Sequence, residues 1–200
     1  MNIGVLGGTF DPVHNAHLIV AEEVKARLNM SKVIFMPAGQ PQLKEEKSIS
    51  AAGHRFQMLS LALADKPHFK LSSMEIERPG PSYTVDTIAE LRPQIGDEDE
   101  LFFILGRDNL AQLPKWHDAT RLAGMCYFVA VPRPGSLRPD LKALEASLPG
   151  ISQRVMLIDR PEIDISASAI RERVARGLSI RHLVPEPVNS YIKEHGLYLS

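Results

Sequence analysis

Leu101 to Gly106, the run LFFILG, carries no polar side chain at any position and is the most apolar strand-like segment of the chain. A strand with one face in water alternates apolar and polar residues, whereas a strand without alternation has to be covered on both faces. That places the run at the centre of a parallel sheet and obliges the rest of the chain to supply two layers of cover. Strand-like and helix-like segments do alternate almost from end to end, the pattern of parallel strands joined by helical crossovers. Residues 2–6, 32–39 (stopped at Pro37), 69–77, 101–106, 125–135 (strand and turn) and 154–161 read as strands, and the polar positions within 69–77 mark an edge. Residues 16–29 put Leu18, Ala21, Val24 and Leu28 on one helical face, and residues 50–65 do the same with Phe56, Leu59 and Leu63. Helices are also expected over 83–94, over 109–124 with an interruption, over 166–177 closed by Gly177, and within the tail 182–199. The expected fold is α/β: a Rossmann-like, doubly wound parallel sheet with helices on both faces. With 200 residues, no internal repeat and no shift of composition, residues 1–200 form a single domain able to bury a full core.

The charge balance is nearly even, 23 basic against 24 acidic residues, so no global field draws this chain to nucleic acid or to an anionic membrane. Any anion site must be local. Cys126 is the single cysteine and lies in the apolar run MCYFVAV, where it can neither close a disulfide nor build a multi-cysteine metal site. It is expected to fill core space in a reducing cytoplasm. The first residues enter a strand directly, with no leader-like pattern, and no apolar stretch approaches the roughly 18 residues of a membrane helix.

The first strand runs straight into GGTFDPVHNAHL, residues 7–18. Gly7 and Gly8 let backbone N–H groups approach a phosphate closely, and the helix that follows offers the positive end of its dipole. The spacing fits neither the dinucleotide fingerprint nor the lysine-bearing P-loop. His14 and His17 lie three apart at the helix start, hence on one face, where two imidazoles can donate to phosphate oxygens. Zinc held by the pair with Asp11 is the rival reading. It ranks lower, because metallohydrolase helices more often space their histidines four apart and add a further ligand. Two histidines in an ordinary surface turn would be the first choice for either alone, but not beside paired glycines at a strand-to-helix junction. A second anion signal is DISASAIRER, residues 164–173. There Ser166 or Ser168 can cap a helix, and Arg171 lies three residues beyond Ser168, able to fork onto phosphate oxygens. Two such sites on one parallel sheet point to a polyphosphate held between them.

These residues resemble a known family. GTFDPVHNAH is similar to the (H/T)xGH signature of the nucleotidyltransferase superfamily, and ISASAIR to its C-terminal ISSTxIR signature. Between them PAGQPQLK, HRFQML, ERPGPSYTVDTI, FILGRDNLAQLPKW, VPRPG and LVPEPVNSYIKEHGLY follow the order found in bacterial nicotinate-nucleotide adenylyltransferases, so the resemblance covers essentially the whole chain. It implies transfer of AMP from ATP to nicotinic acid mononucleotide, giving nicotinic acid adenine dinucleotide and pyrophosphate in NAD biosynthesis, with no covalent enzyme intermediate. By the same resemblance, His14, His17 and Arg171 would be the catalytic residues at the triphosphate. Gly7, Gly8, Thr9 and Phe10 would line the ATP side together with Ile165 and Ser168, while Gly106 and Asp108 would meet the adenosine ribose. Lys44, Tyr83, Thr84, Trp116 and Arg133 would bind the mononucleotide, Trp116 by stacking on its ring. Mg2+ is implied as well, held by ATP phosphates and water rather than by protein side chains. ATP and the mononucleotide would be the partners, with no nucleic acid or membrane among them, and monomer and homo-oligomer both stay open.

Two departures stand out. Ala16 occupies the place of the glycine between the signature histidines, and Leu43 the place of a loop histidine. The alanine methyl is expected to crowd a phosphate and weaken ATP binding without abolishing activity, and the lost histidine to leave Lys44 carrying more of the mononucleotide contact. Three other readings stay open. The same reaction on the amide mononucleotide would be distinguished by backbone N–H groups in the GPSYT and LPKWHD loops, which read one charge at the pyridine substituent. The others are a nucleotide-binding sensor without catalysis and an RNA-acting synthetase fragment, the last disfavoured by the absence of a basic run or a second domain.

Overall fold

A computed structural model describes residues 1–40 and 49–199. Its centre is a six-stranded, all-parallel sheet in the order β3-β2-β1-β4-β5-β6. The strands are β1 (Asn2–Gly8), β2 (Met30–Pro37), β3 (Phe69–Leu71), β4 (Glu100–Gly106), β5 (Tyr127–Val131) and β6 (Val155–Leu157). The apolar run 101–106 lies in β4, paired with β1 on one side and β5 on the other. Its side chains alternate between two cores: Phe102 and Ile104 face one, and Leu101, Phe103 and Leu105 the other. Both faces of the strand therefore need covering, as its lack of polar positions requires.

The first core is covered by α1 (Asn15–Arg27), α2 (Ala52–Leu63), α8 (Ala167–Ala175) and α9 (Glu186–Glu194), through residues such as Ala21, Leu59, Ile170 and Val188. The second is covered by α4 (Thr84–Leu91), α5 (Arg107–Gln112), α6 (Ala119–Met125) and α7 (Leu141–Ser147), through Ile88, Leu110, Leu122 and Leu144. Among the described residues the architecture is the doubly wound α/β fold expected from the sequence. Cys126 is buried in the second core, and that burial pushes its thiol up to about 12. No helix among the described residues is long and apolar enough to cross a membrane.

Three expectations change. The strand expected over 69–77 ends at Leu71, and Met74–Glu77 form a short helix, α3, that buries the Glu75 carboxylate. Helix α7 was not anticipated; Asp140 caps it by accepting from the Lys142 and Ala143 amides. On α2 the buried stripe is Arg55, Met58, Leu59, Ala62 and Leu63, with Phe56 only half-buried.

Candidate functional site

Between β1 and β4 the chain changes the direction in which it winds the sheet: β2 follows β1 outward on one side and β5 follows β4 on the other. The crevice outside the carboxyl ends of such strands is where open α/β sheets bind ligands. Gly8 ends β1 and Gly106 ends β4, so the two sequence-predicted glycine positions converge there.

The β1–α1 turn begins at the paired glycines. A Cβ on Gly7 would stand 3.1 Å from the Phe103 ring, and one on Gly8 3.2 Å from the Phe10 ring. The space a side chain would take at each glycine is thus already held by an aromatic ring. Phe10 takes a left-handed backbone, φ 51°, which lets its ring fold back into the core, edge-on to His17 at 4.9 Å. With only 2% of its surface exposed, Phe10 positions His17 through its ring and can meet a ligand only through its backbone.

His14 occupies the cap position of α1, and its backbone N–H donates to His17 Nδ1 at 3.2 Å. That bond fixes Nε2 as the protonated nitrogen of a neutral His17. The two rings stack with centroids 3.7 Å apart, 23° from parallel. His14 is 6% exposed; burial, helped by the positive charge of Arg133, pulls its pKa down to about 4, so it is neutral at pH 7. Its Nδ1 is buried with no partner among the described residues.

The second anion signal lands on the same crevice. Ser166 caps α8 by accepting the Ala169 amide at 3.2 Å, leaving Ser168 exposed in the first turn with its hydroxyl 3.3 Å from that of Ser166. Arg171 reaches across 160 positions of sequence to donate from Nη1 to the Asp11 carbonyl at 2.8 Å. Ile165, half-buried, packs on the first core just ahead of the helix. The Arg171 bond thus ties a capped helix and its guanidinium to the turn that carries two stacked imidazoles, groups whose chemistry suits polyphosphate oxygens.

At the end of β4, Asp108 and Arg133 are both exposed and face each other at 3.4 Å, a pair that a ligand can reorganise cheaply. On Gly106 a Cβ would overlap Asp108 Oδ1 and stand 3.2 Å from Arg133 Nε, so the bare backbone is what lets that carboxylate settle. Nearby, Trp116 sits in the break between α5 and α6, half-buried and edge-on to Phe103 at 6.0 Å. Tyr83, the cap residue of α4 ahead of Thr84, stacks on His117 at 4.2 Å. This brings the GPSYT and LPKWHD loops together and gives His117 a contact that the sequence did not predict. Lys44 and the departure at Leu43 lie outside the described residues. Ala16 is 8% exposed in the first turn of α1, so its methyl is largely covered by protein, and the expected crowding of a phosphate loses most of its basis.

Several residues that hold the site were not anticipated. Arg55, 2% exposed, donates to four carbonyls: Thr9 at 2.9 Å, Ala38 at 2.7 Å and Gly39 at 3.3 Å just past the ends of β1 and β2, and Ser50 at 3.0 Å ahead of its own helix. Burial lowers its pKa from the ordinary guanidinium value, with the Asp11 charge opposing the shift. A signal was present, since Arg55, Met58, Leu59 and Ala62 fall at helical spacing. The Ser82 hydroxyl accepts the Gly39 and Gln40 amides, and Thr87 donates to the buried Glu75 carboxylate at 2.6 Å, tying the GPSYT turn to the end of β2. Burial raises the Glu75 pKa. His54 stays away from the crevice, bonded to Tyr191 Oη at 2.9 Å between α2 and α9.

Asp11, the carboxylate of the rival zinc reading, is 1% exposed and already accepts from Tyr198 Oη and the Ser50 amide. Among the described residues no group of three or more histidine, cysteine or acidic side chains is placed to hold a metal ion. A concavity of about 510 Å³ lies at the opposite end of the sheet, lined by the acidic loop 97–100, Cys126 and Arg154, far from every group named above.

Residues 5–173 match the cytidylyltransferase-like family. A protein of Dehalococcoides mccartyi named probable nicotinate-nucleotide adenylyltransferase is 50% identical over 198 residues, covering 99% of this chain and 97% of its own. One of the same name from Thermomicrobium roseum is 47% identical, covering 98% of this chain and 91% of its own. In fold, the chain is similar to Plasmodium falciparum nicotinic acid mononucleotide adenylyltransferase complexed with NaAD, with a TM-score of 0.79, 20% identity, and 98% and 97% of the two chains covered. The same enzyme complexed with APC gives a TM-score of 0.76.

Proposed function

Since the chain is a nucleotidyltransferase belonging to the cytidylyltransferase-like family and, within it, to the nicotinate-nucleotide adenylyltransferases, we propose that it joins ATP to nicotinic acid mononucleotide. The products are nicotinic acid adenine dinucleotide and pyrophosphate. A mononucleotide phosphate oxygen attacks the α-phosphorus of ATP in line, and the bond to the bridging oxygen breaks as pyrophosphate leaves. The nucleophile is already an anion, so no general base is needed. The protein's task is to align two polyanions and screen their repulsion. The observation that carries this reading is the Arg171 to Asp11 bond at 2.8 Å, which ties α8 to the turn that leads into the stacked His14–His17 pair. The triphosphate would lie between them, with Ser168 and Arg171 on the leaving phosphates and Asp108 on the ribose. Trp116 and the Tyr83–Thr84 turn would take the pyridine ring, with Lys44 and Arg133 on the acceptor phosphate. His14 enters as a neutral donor, and its unpartnered Nδ1 is a buried polar atom that a ligand or water would satisfy.

Mg2+ fits this site only as a companion of the nucleotide. Asp11 is fully engaged, Asp108 faces a guanidinium, and no side-chain cage exists among the described residues. When bound with ATP, the ion would neutralise phosphate charge.

The test follows pyrophosphate release from ATP with the acid or the amide mononucleotide as acceptor. Release strongly favouring the acid is expected. Preference for the amide would keep the chemistry and overturn the specificity, and ATP binding without release to either acceptor would replace the enzyme reading with that of a nucleotide sensor.

A further inference from the structure

Asp11 is the meeting point of four segments far apart in sequence. Its Oδ1 accepts from Tyr198 Oη at 2.6 Å, its Oδ2 from the Ser50 amide at 3.1 Å, and its carbonyl from Arg171 at 2.8 Å. With 1% of its surface exposed, it has no water to fall back on. Tyr198 comes from beyond α9, 187 positions away, and reaches the carboxylate from a left-handed backbone, φ 66°, that a tyrosine adopts only when its surroundings impose it. Burial and the neighbouring Asp11 charge both raise its phenol pKa, so the hydroxyl stays protonated and donates. Ser50 leads into α2, and His14 stands three residues past Asp11.

We propose that Tyr198 is a positioning residue for adenylyl transfer. By holding the Asp11 carboxylate, it pins Ser50, just ahead of α2, and the β1–α1 turn gripped by Arg171 in one register. The proposal rests on the reaction read above for this site. Removing the hydroxyl leaves Asp11 Oδ1 buried without a donor, and the carboxylate then turns or admits water, releasing Ser50. The two substrates still bind, but the line of attack is blurred, so the loss falls on kcat more than on either KM.

The experiment compares wild type, Tyr198→Phe, Asp11→Asn and the double variant at a temperature well below each unfolding midpoint, with circular dichroism confirming the fold. Tyr198→Phe is expected to lose at least tenfold in kcat with each KM changed less than threefold, and the double variant is expected to be no slower than Asp11→Asn alone. A tyrosine that merely stabilised the tail would lower the midpoint and leave kcat of the folded protein untouched. Amide exchange, measured without substrates, should show the Ser50 N–H exchanging at least tenfold faster in Tyr198→Phe. A kcat within twofold of wild type, losses that multiply in the double variant, or a Ser50 amide exchanging at the wild-type rate would each overturn the proposal. If the wild type itself released no pyrophosphate, the reaction assigned above would fail, and the exchange measurement would still decide whether Tyr198 pins the turn.

Discussion

Replacing His14 by asparagine should change how stability depends on pH, by an amount that follows from its burial. An ordinary histidine takes up its proton near 6.5, but in the fold His14 does so only at about 4, because charging it there would strand an imidazolium in a dry pocket facing Arg133. Between those values the unfolded chain binds a proton that the folded chain refuses, so stability rises with pH across the interval. It is lost as pH falls from above 6.5 towards 4 and is level below that. At 1.36 kcal/mol per unit, the 2.5-unit gap corresponds to about 3 kcal/mol. Glu75 acts in the opposite sense: its raised pKa lets the folded state keep a proton longer, and the stability this gives is lost as pH rises from 4.5 through the folded value. The raw wild-type curve therefore mixes two slopes, whereas the difference between wild type and His14→Asn isolates one. Urea unfolding of both proteins at steps between about pH 7 and pH 4 measures it. The wild type should lose about 3 kcal/mol more than the variant over that range. Parallel curves would refute the reasoning, because they would mean that His14 titrates in the fold as it does in the open chain.

Gly106→Ala should leave the unfolding midpoint within a degree or two, since the backbone there is extended and the overlapped atom belongs to the exposed Asp108 side chain, yet raise the KM for ATP several-fold by displacing that carboxylate. Gly39→Ala is the contrasting case. Its Cβ would overlap the Glu75 backbone carbonyl, which cannot swing away, so a stability loss of roughly 2 kcal/mol or more is expected in urea unfolding. Arg55→Met should cost about 3–5 kcal/mol, because four carbonyls, three of them just past strand ends, lose their buried donor together; an unfolding midpoint like that of wild type would contradict the clamp. Ala16→Gly should cost about 1 kcal/mol through helix propensity and a lost buried methyl, with the KM for ATP within twofold of wild type, and a marked fall in that KM would restore the view that the methyl crowds a phosphate.

What could be read from the sequence was whatever depends on neighbours in sequence. The β4 run announced a strand buried on both faces, and the paired glycines ahead of His14 and His17 announced a strand-to-helix turn with both imidazoles on one face, because strand alternation and helix spacing are set within a few residues. Even there, local pattern could mislead. FKLSSMEIE alternates well enough for a long edge strand, but after the Ser72 amide bonds the Phe35 carbonyl its hydroxyl accepts the Met74 amide as the chain turns, and Glu75 finds a hydroxyl donor in Thr87 that lets a short helix bury it. On α2, the pattern of Phe56, Leu59 and Leu63 gave Arg55 no role, because beyond the Ser50 carbonyl its acceptors are carbonyls just past the ends of β1 and β2. Asp11 shows the same limit more sharply. Its sequence neighbourhood invites a metal, yet Tyr198 and Ser50, 187 and 39 positions away, occupy both of its oxygens. A buried polar group is decided by partners that only the closed fold supplies, so the groups proposed to meet ligands were legible in the motifs, while the buried groups that hold their loops together were not.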